Sequence, residues 1–294
     1  MRISDKWQQY RIIDCTSSEK LEMWGEHLLI RPDPQVIWKT GRKTPLWDKA
    51  EAHYHRSEKG GGKWEYKKRL PESWNIEYAL GIGETLKFRI SPTGFKHTGL
   101  FPEQAVNWEF MSQLIKERTS NGKSVNVLNL FAYTGGATLA CLAGGASVVH
   151  VDASKGMVSW ARENAALSGL SSMPCRWIVD DCEKFVMREI RRGNHYDAII
   201  MDPPSYGRGP SGEVWTMEEH IYELVEKCAG LLTEKPLFFL LNSYTTGLSA
   251  SSTAYILHET VKDRFESITA DEIGIPVEKG FVLPCGSSAI AQQR

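Results

Sequence analysis

The chain has 294 residues, 41% of them hydrophobic, and a formal net charge of −1. This length allows a large core plus a second, smaller unit. No apolar run approaches the roughly 18 residues that a membrane span needs, and the start, Met-Arg-Ile-Ser-Asp-Lys, lacks the apolar segment of a secretory signal. We therefore expect a cytoplasmic protein that is not attached to a membrane.

The six cysteines are scattered and form no Cys-x-x-Cys or Cys/His cluster, which argues against a zinc site and against a disulfide framework. We expect reduced, half-buried thiols and no bound metal. The cysteines are Cys15, Cys141, Cys175, Cys182, Cys228 and Cys285.

Residues 1–90 contain short runs of alternating apolar residues that are separated by turns. This pattern predicts a small antiparallel β domain for substrate recognition. The three consecutive glycines within residues 58–63 indicate a flexible loop. The predicted strands are residues 10–14, 27–31, 64–66 and 86–90.

A basic segment, residues 38–69, lies in this region. From residue 39 to 69 it has ten lysines or arginines and four acids, a surplus of 10 − 4 = 6. Cations interleaved with aromatic rings are typical of surfaces that grip phosphates and stack bases. The alternative is a solvated loop whose tryptophans fill a small core. The aromatic residues are Trp38, Trp47, Tyr54, Trp64 and Tyr66.

Residues 91–120 contain glycine and proline turns followed by apolar residues at helical spacing. We expect a lid segment and a helix over residues 103–118 that bridges the two domains, with Pro102 in its first turn.

From residue 121 to 294 strand and helix patterns alternate, which predicts a doubly wound, mostly parallel α/β sheet. Two final strands, 267–275 and 281–290, are expected to form a terminal hairpin. The five preceding strands are predicted at residues 125–131, 146–152, 174–180, 196–202 and 235–241. The helices are predicted at residues 136–144, 155–168, 182–192, 216–232 and 250–264.

Each of these five strands ends on a polar or glycine-rich group. In an open α/β sheet the ligand lies beyond the carboxyl ends of the strands, so these groups should line one crevice. Gly135 and Gly136 allow a tight turn there, and Asp152 can accept hydrogen bonds from a ribose diol. Further acids follow at Asp180–Asp181 and Asp202. The alternatives are that the glycine turn serves only strand–helix packing and that Asp180 or Asp181 is a helix cap. S-adenosylmethionine, a cation rich in hydrogen-bond donors, suits such a crevice.

The glycine turn lacks the Gly-x-Gly-x-x-Gly spacing of dinucleotide sites. At this point the chain resembles the class I S-adenosylmethionine-dependent methyltransferases, in the branch with large-subunit ribosomal-RNA base methyltransferases. The fold implied is a Rossmann-like, seven-stranded sheet. The resemblance is carried by Thr98-Gly99-Leu100-Phe101-Pro102-Glu103-Gln104, Asn129-Leu130-Phe131-Ala132-Tyr133-Thr134-Gly135-Gly136, Val151-Asp152-Ala153-Ser154, Asn164-Ala165, Asp180-Asp181-Cys182 and Asp202-Pro203-Pro204-Ser205-Tyr206.

The resemblance implies a set of site residues. Residues 131–135 would cradle the methionine part, and Asp152 would hold the ribose. Asp181 and Cys182 would frame the adenine. The upstream block has Pro-Glu-Gln-Ala where the branch commonly has Leu-Asp-Gln-Arg. The expected cofactor-binding residues are Thr98, Gly99, Phe101, Gln104, Phe131, Tyr133, Thr134, Gly135, Thr138, Asp152, Ser154, Asp181, Cys182 and Asp202.

The turn at residues 202–204 is interpreted as the acceptor site. Its rigid carbonyls can orient a reacting nitrogen and stabilise charge that grows on it, and Tyr206 can stack on a flipped base. The alternative is a turn that only ends the strand. The expected catalytic residues are Asp202, Pro203, Pro204 and Tyr206.

Methylation of pyrimidine carbon 5 needs a cysteine thiolate, which the resemblance places after the fifth strand. Residues 240–246 contain no cysteine, so we expect transfer to a nitrogen, and we interpret Cys285 as structural. Alternatives are a protein or small-molecule methyltransferase, a nucleotide-dependent oxidoreductase, and a non-catalytic RNA-binding module.

Overall fold

The computed structural model describes residues 1–57, 61–94, 97–208, 214–245 and 247–293. The chain forms two compact units. The β unit comprises Arg2–Val106 and Ile273–Cys285, and the α/β unit comprises Met1, Asn107–Glu272 and Gly286–Arg294. Part of the loop expected at residues 58–63 lies outside the described residues. The division into domains 1–90, 91–120 and 121–294 stays a prediction.

The β unit contains a five-stranded sheet in the order β2-β3-β4-β5-β6 and a two-stranded sheet, β7-β8. Its pairs are antiparallel, as predicted, except that β4 and β5 are parallel. Trp47, in a 3₁₀ turn at Pro45–Lys49, fills the core beside Leu21 and Ile30. The strands are β1 (Arg2–Ile3), β2 (Tyr10–Thr16), β3 (Glu19–Trp24), β4 (His27–Pro32), β5 (Ala52–Arg56), β6 (Gly62–Tyr66), β7 (Trp74–Ala79) and β8 (Thr85–Ile90).

Seven longer strands confirm the predicted doubly wound sheet, in the order β16-β17-β15-β12-β9-β10-β11. The pairs among β9, β10, β11, β12 and β15 are parallel, and β17 is antiparallel to β15. The two-residue β1 pairs with the end of β16 inside the β unit. The strands are β9 (Asn126–Leu130), β10 (Ser147–Asp152), β11 (Cys175–Val179), β12 (Ala198–Met201), β15 (Phe238–Ser243), β16 (Ser267–Pro276) and β17 (Val282–Gln292).

Helices follow the strands as the sequence pattern predicts. A short hairpin that was not predicted, β13 (Tyr206–Arg208) and β14 (Val214–Thr216), follows β12. None of the helices in the described part of the chain combines the length and apolar composition that a bilayer crossing requires. The helices are α1 (Ala105–Ser120), α2 (Gly136–Ala143), α3 (Lys155–Leu167), α4 (Cys182–Arg192), α5 (Met217–Ala229) and α6 (Ala250–Val261).

Both faces of the large sheet are covered because its strands carry apolar residues on alternate sides. One side, with Leu128 and Phe239, packs with Leu224 of α5 and Leu257 of α6 in a single core. On the other side, Phe110 of α1 contacts the ring of Phe238 at 5.7 Å. The carboxyl ends of the parallel strands are left for the loops that carry the predicted site.

Candidate cofactor and acceptor site

The loop after β9 has an unusual backbone. Phe131 and Tyr133 have φ angles of 56° and 50°, and Gly135 has 88°. Such values are uncommon for residues with a Cβ atom and persist only where the surroundings impose them. One restraint is the side-chain amide of the buried Asn164, which donates to the Thr134 carbonyl at 2.9 Å. This hydrogen bond helps to hold the loop in its shape.

Asp152, at the end of β10, ties this loop to the next helix. Its Oδ2 accepts from the backbone N–H of Tyr133 at 2.9 Å, and its Oδ1 accepts from that of Ser154 at 2.8 Å. Burial raises the pKa of Asp152, and these two hydrogen bonds oppose that rise. Each carboxylate oxygen can accept a second hydrogen bond, so this carboxylate can also receive the two hydroxyls of a diol.

A buried polar network lies beneath the loop. Thr138 of α2 bonds to Asn129 of β9 and to Nδ1 of His150 of β10, both at 2.9 Å. Burial lowers the pKa of His150 to about 3, so the ring is neutral. Thr138 therefore lies beneath the loop, and its hydrogen bonds hold the first turn of α2 against β9 and β10.

The two glycines of the loop serve different purposes. Gly135 needs its positive φ angle. A Cβ atom on Gly136 would lie 2.6 Å from the ring of Trp108, which is buried in α1. The close approach at Gly136 is therefore made by an indole of the same unit. The sequence left a packing role open but did not identify Trp108 as the partner.

The residues that follow β11 have structural partners. Asp181 caps α4, because its Oδ1 accepts from the N–H of Lys184 at 2.9 Å, and Asp180 forms an ion pair with Arg188. Sγ of the buried Cys182 accepts from the N–H of Phe131 at 3.3 Å. Burial raises the pKa of Cys182, so this group is a thiol. Asp181 stays exposed at the helix end, and its predicted contact with adenine remains a prediction.

The 202–206 turn adjoins the loop after β9. The N–H of Asp202 donates to the carbonyl of Leu130, the residue before the loop, at 3.4 Å. The carbonyl of Pro204 already accepts from the indole N–H of Trp215 at 2.8 Å. Tyr206 is 54% exposed at the start of the hairpin. The structure thus brings the predicted acceptor turn and the predicted cofactor loop together.

Trp215 is a candidate site residue that the sequence did not predict. Its ring lies 5.8 Å from that of Phe131, so one side chain contacts both the loop and the 202–206 turn. The ring of His220 stacks with that of Trp215, with centroids 5.3 Å apart. Trp215 lies in the β13–β14 hairpin, whose strands Tyr-Gly-Arg and Val-Trp-Thr have three residues each. Three residues are too few to show a periodic pattern in the sequence.

Asn242, at the end of β15, is buried in a polar cluster. Its Oδ1 accepts from Nδ2 of Asn107 at 3.1 Å and from the hydroxyl of Ser288 at 2.7 Å. This cluster joins β15 to α1 and β17.

Four predicted cofactor residues, Thr98, Gly99, Phe101 and Gln104, belong to the β unit. The Thr98 hydroxyl is buried and has no hydrogen-bond partner within the described part of the chain. That these four residues contribute to a cofactor site stays a prediction.

In the basic segment 38–69 most of the aromatic rings are buried or partly buried, whereas the described cations are exposed. Trp47 and Tyr54 are buried, and the indole N–H groups of Trp38 and Trp64 bond to the carbonyls of Cys15 and Thr93. Of the five aromatic residues only Tyr66 is exposed. Lys59 lies outside the described residues, and the other nine cations are exposed. The segment therefore offers positive charge and one accessible ring.

Comparison with known proteins agrees with the family that the resemblance indicates. Residues 52–232 match the family model described as S-adenosylmethionine-dependent methyltransferase. The match includes the glycine loop, Asp152 and the 202–206 turn.

Relatives and solved structures extend this likeness. The chain is 34% identical over 151 residues to "Ribosomal RNA large subunit methyltransferase K/L" of Shewanella frigidimarina, covering 50% of this chain and 20% of the relative. The Shewanella baltica protein of the same name is 38% identical over 122 residues, 41% of this chain and 16% of the relative. The chain thus spans a fifth or less of the length of these relatives. The SAM-dependent methyltransferase from Agrobacterium tumefaciens is 34% identical, covers 100% of this chain and 93% of its own, and has a TM-score of 0.90.

Proposed function

Because the chain belongs to the S-adenosylmethionine-dependent methyltransferase family, we propose that it methylates a ring or exocyclic nitrogen of an RNA base. The substrate class is suggested by the relatives named as methyltransferases of large-subunit ribosomal RNA. The exposed cations of segment 38–69 support it, since a phosphate backbone is bound mainly by Lys and Arg.

Two features of the α/β unit support binding of the cofactor: the Asp152 carboxylate and the loop at residues 131–135. Asp152 is fixed by two backbone amides and can still accept from a ribose diol. Burial of uncompensated positive charge is costly, so a cationic cofactor is matched by nearby carboxylates such as Asp152 and Asp202. When bound, S-adenosylmethionine supplies an electrophilic methyl group on its sulfonium. In this proposal residues 131–135 hold the methionine part.

One observation carries the acceptor assignment: the backbone hydrogen bond from Asp202 to Leu130, which joins the 202–206 turn to the cofactor loop. The Asp202 carboxylate and the Pro203 carbonyl then accept hydrogen bonds from the amino group to be methylated. They orient its lone pair for in-line attack and stabilise the positive charge that develops on nitrogen. Tyr206, which is 54% exposed, offers a ring against which a base can stack.

Thiolate chemistry finds no support in the α/β unit. Burial raises the pKa of both Cys182 and Cys228, and Asn242 is engaged with Asn107 and Ser288. Direct transfer to nitrogen needs no such nucleophile.

The test uses the full chain with methyl-labelled S-adenosylmethionine and separate RNA, protein and metabolite pools from cells that lack the protein. We expect label in large-subunit ribosomal RNA and an N-methylated nucleoside after digestion. Asp202→Ala should lower the rate by about 100-fold or more, whereas Asp263→Asn, at an exposed site, should not. Label found only in protein or metabolites would contradict the proposal that RNA is the substrate. Label recovered as 5-methylcytosine would contradict the proposal that the methyl group is transferred to a nitrogen.

A further inference from the structure

A second cluster of chemically active side chains lies in the β unit, on one face of the β5–β6 pair. His53 and His55 are two residues apart on β5, so their side chains project from the same face of the sheet. Glu65 of β6 is directly opposite His53, which puts its side chain on that face as well. One ring nitrogen from each histidine and one oxygen of Glu65 all lie within 4.8 Å of one another.

We propose that His53, His55 and Glu65 bind a divalent transition-metal ion, for which Zn²⁺ is the best match. Two imidazole nitrogens and one carboxylate oxygen are a three-ligand zinc set that leaves the fourth position for water. The all-oxygen preference of Ca²⁺ and Mg²⁺ makes these ions poor candidates for the same residues.

The three candidate ligand atoms lie within reach of one ion, with the spacing of hydrogen-bonded side chains. With metal–ligand bonds of about 2.0–2.1 Å, tetrahedral ligand atoms lie about 3.3 Å apart. Here Nε2 of His55 and Oε2 of Glu65 are 2.7 Å apart, and the two imidazole rings are 4.0 Å apart between centroids. The side chains of His55 and Glu65 are 43% and 57% exposed, so small rotations can admit an ion between them.

Glu19 of β3 supplies a second, independent feature of a metal site. Its Oε1 lies 2.6 Å from Nε2 of His53. Metal-binding histidines usually donate their other ring N–H to such a carboxylate, which fixes the orientation of the ring. Because Nε2 of His53 contacts Glu19, the proposal gives the other ring nitrogen, Nδ1, to the ion. Two cations oppose a metal ion here: Lys63, opposite His55, and Arg42, whose Nη2 lies 3.6 Å from Oε2 of Glu19. The carboxylates of Glu19 and Glu65 offset them.

The ion would hold the edge of the five-stranded sheet. Among the described strands, β6 is the last in its sheet and pairs with β5. A ligand from each strand therefore cross-links the pair, and a metal that binds the folded chain raises its thermal stability.

This inference departs from the absence of a metal expected from the sequence. That expectation rested on the cysteines, whereas this ligand set contains none. The sequence signal for this site is the His-x-His pattern at His53 and His55. The third ligand, Glu65, lies ten positions after His55.

The experiment titrates metal-free full-length protein with ZnCl₂ by calorimetry. We expect one Zn²⁺ per chain. His53→Ala and His55→Ala should each weaken binding by more than about 100-fold, and Glu19→Gln by about 10–100-fold, the usual effect of losing an outer carboxylate. The matched control is His258→Ala, since His258 is an exposed histidine 3.1 Å from a single carboxylate, Glu259. It should bind Zn²⁺ like the wild type.

A thermal melt gives a second readout. Zn²⁺ should raise the Tm of the wild type and of His258→Ala, and should leave the Tm of Glu65→Gln unchanged. Melts in chelator show whether each variant folds without metal. The proposal is overturned if wild type binds no Zn²⁺, or if a His53→Ala/His55→Ala double variant binds it as tightly as wild type.

Discussion

At the scale of single residues, Asp152 is the group on which cofactor binding should depend most. Its two oxygens hold the loop after β9 and, in our proposal, the ribose hydroxyls. A hydrogen bond to a charged group contributes about 1.5–3 kcal/mol. We therefore predict that Asp152→Ala weakens S-adenosylmethionine binding by roughly 10–100-fold, measured by calorimetry.

Asp263→Asn is the control for this variant, because it also removes one carboxylate but at an exposed position outside the site. It should bind the cofactor like the wild type. Equal affinities for Asp152→Ala and wild type would remove Asp152 from the cofactor site.

His150 gives a prediction about pH. Its folded pKa of about 3 lies below the unfolded value of about 6.5, because burial penalises the charged ring. The unfolded chain therefore binds more protons between these values. We predict that the free energy of unfolding falls by up to about 1.4 kcal/mol per pH unit from about pH 6.5 towards pH 3 through this residue.

Urea unfolding at a series of pH values measures this effect. His150→Asn, which can keep the hydrogen bond to Thr138, should lose this part of the pH dependence. The exposed control His258→Asn should retain it. Parallel stability curves for His150→Asn and wild type would contradict the prediction.

At the scale of elements, the junction between α1 and α2 depends on Gly136. An added Cβ would lie 2.6 Å from the Trp108 ring, so one of the two helices must shift. Overpacking of this kind costs typically about 1–3 kcal/mol. We predict that Gly136→Ala lowers the free energy of unfolding by that amount, measured by urea denaturation.

Gly156→Ala is a matched control in the first turn of α3. Its added Cβ would meet only the Ser154 hydroxyl, at 3.8 Å. Alanine is the better helix former by about 1 kcal/mol, so this variant should be as stable as wild type or more so. A Gly136→Ala variant as stable as Gly156→Ala would show that the helices move apart at no cost.

The predicted elements differ in accuracy between the two units. In the α/β unit the five core strands and five helices were placed to within a few residues, because long periodic runs and glycine or aspartate ends mark them. In the β unit four strands were missed: β1, β3, β5 and β7. β1 has two residues, whereas β3, β5 and β7 are as long as β4, β6 and β8, which were predicted. The pairing of the missed strands depends on partners that local patterns do not reveal.

At the scale of the whole molecule, the net charge of −1 conceals an exposed basic segment. Lys67, Lys68 and Arg69 are adjacent and exposed. If segment 38–69 binds RNA, replacing these three with alanine should weaken RNA binding. The slope of log K against log salt should fall by up to about 3, since each phosphate contact contributes roughly 0.7–0.9. Cofactor affinity should not change.

Filter binding at several salt concentrations measures both quantities. A control variant replaces Lys123, Lys235 and Lys262, which are also exposed, and removes the same total charge. Equal losses in the two variants would indicate an effect of net charge alone and would remove segment 38–69 from the RNA interface.

The sequence by itself determined the doubly wound sheet, the glycine loop and the polar residues at the strand ends, because periodicity, turns and strand ends are local properties. Only the tertiary structure decided what meets those residues. It placed Trp108 against Gly136 and Trp215 against Pro204, and it turned Trp47 and Tyr54 inward. It also brought His53 and His55 to Glu65. These contacts join residues on different elements, whose distances depend on how those elements pack rather than on any local pattern.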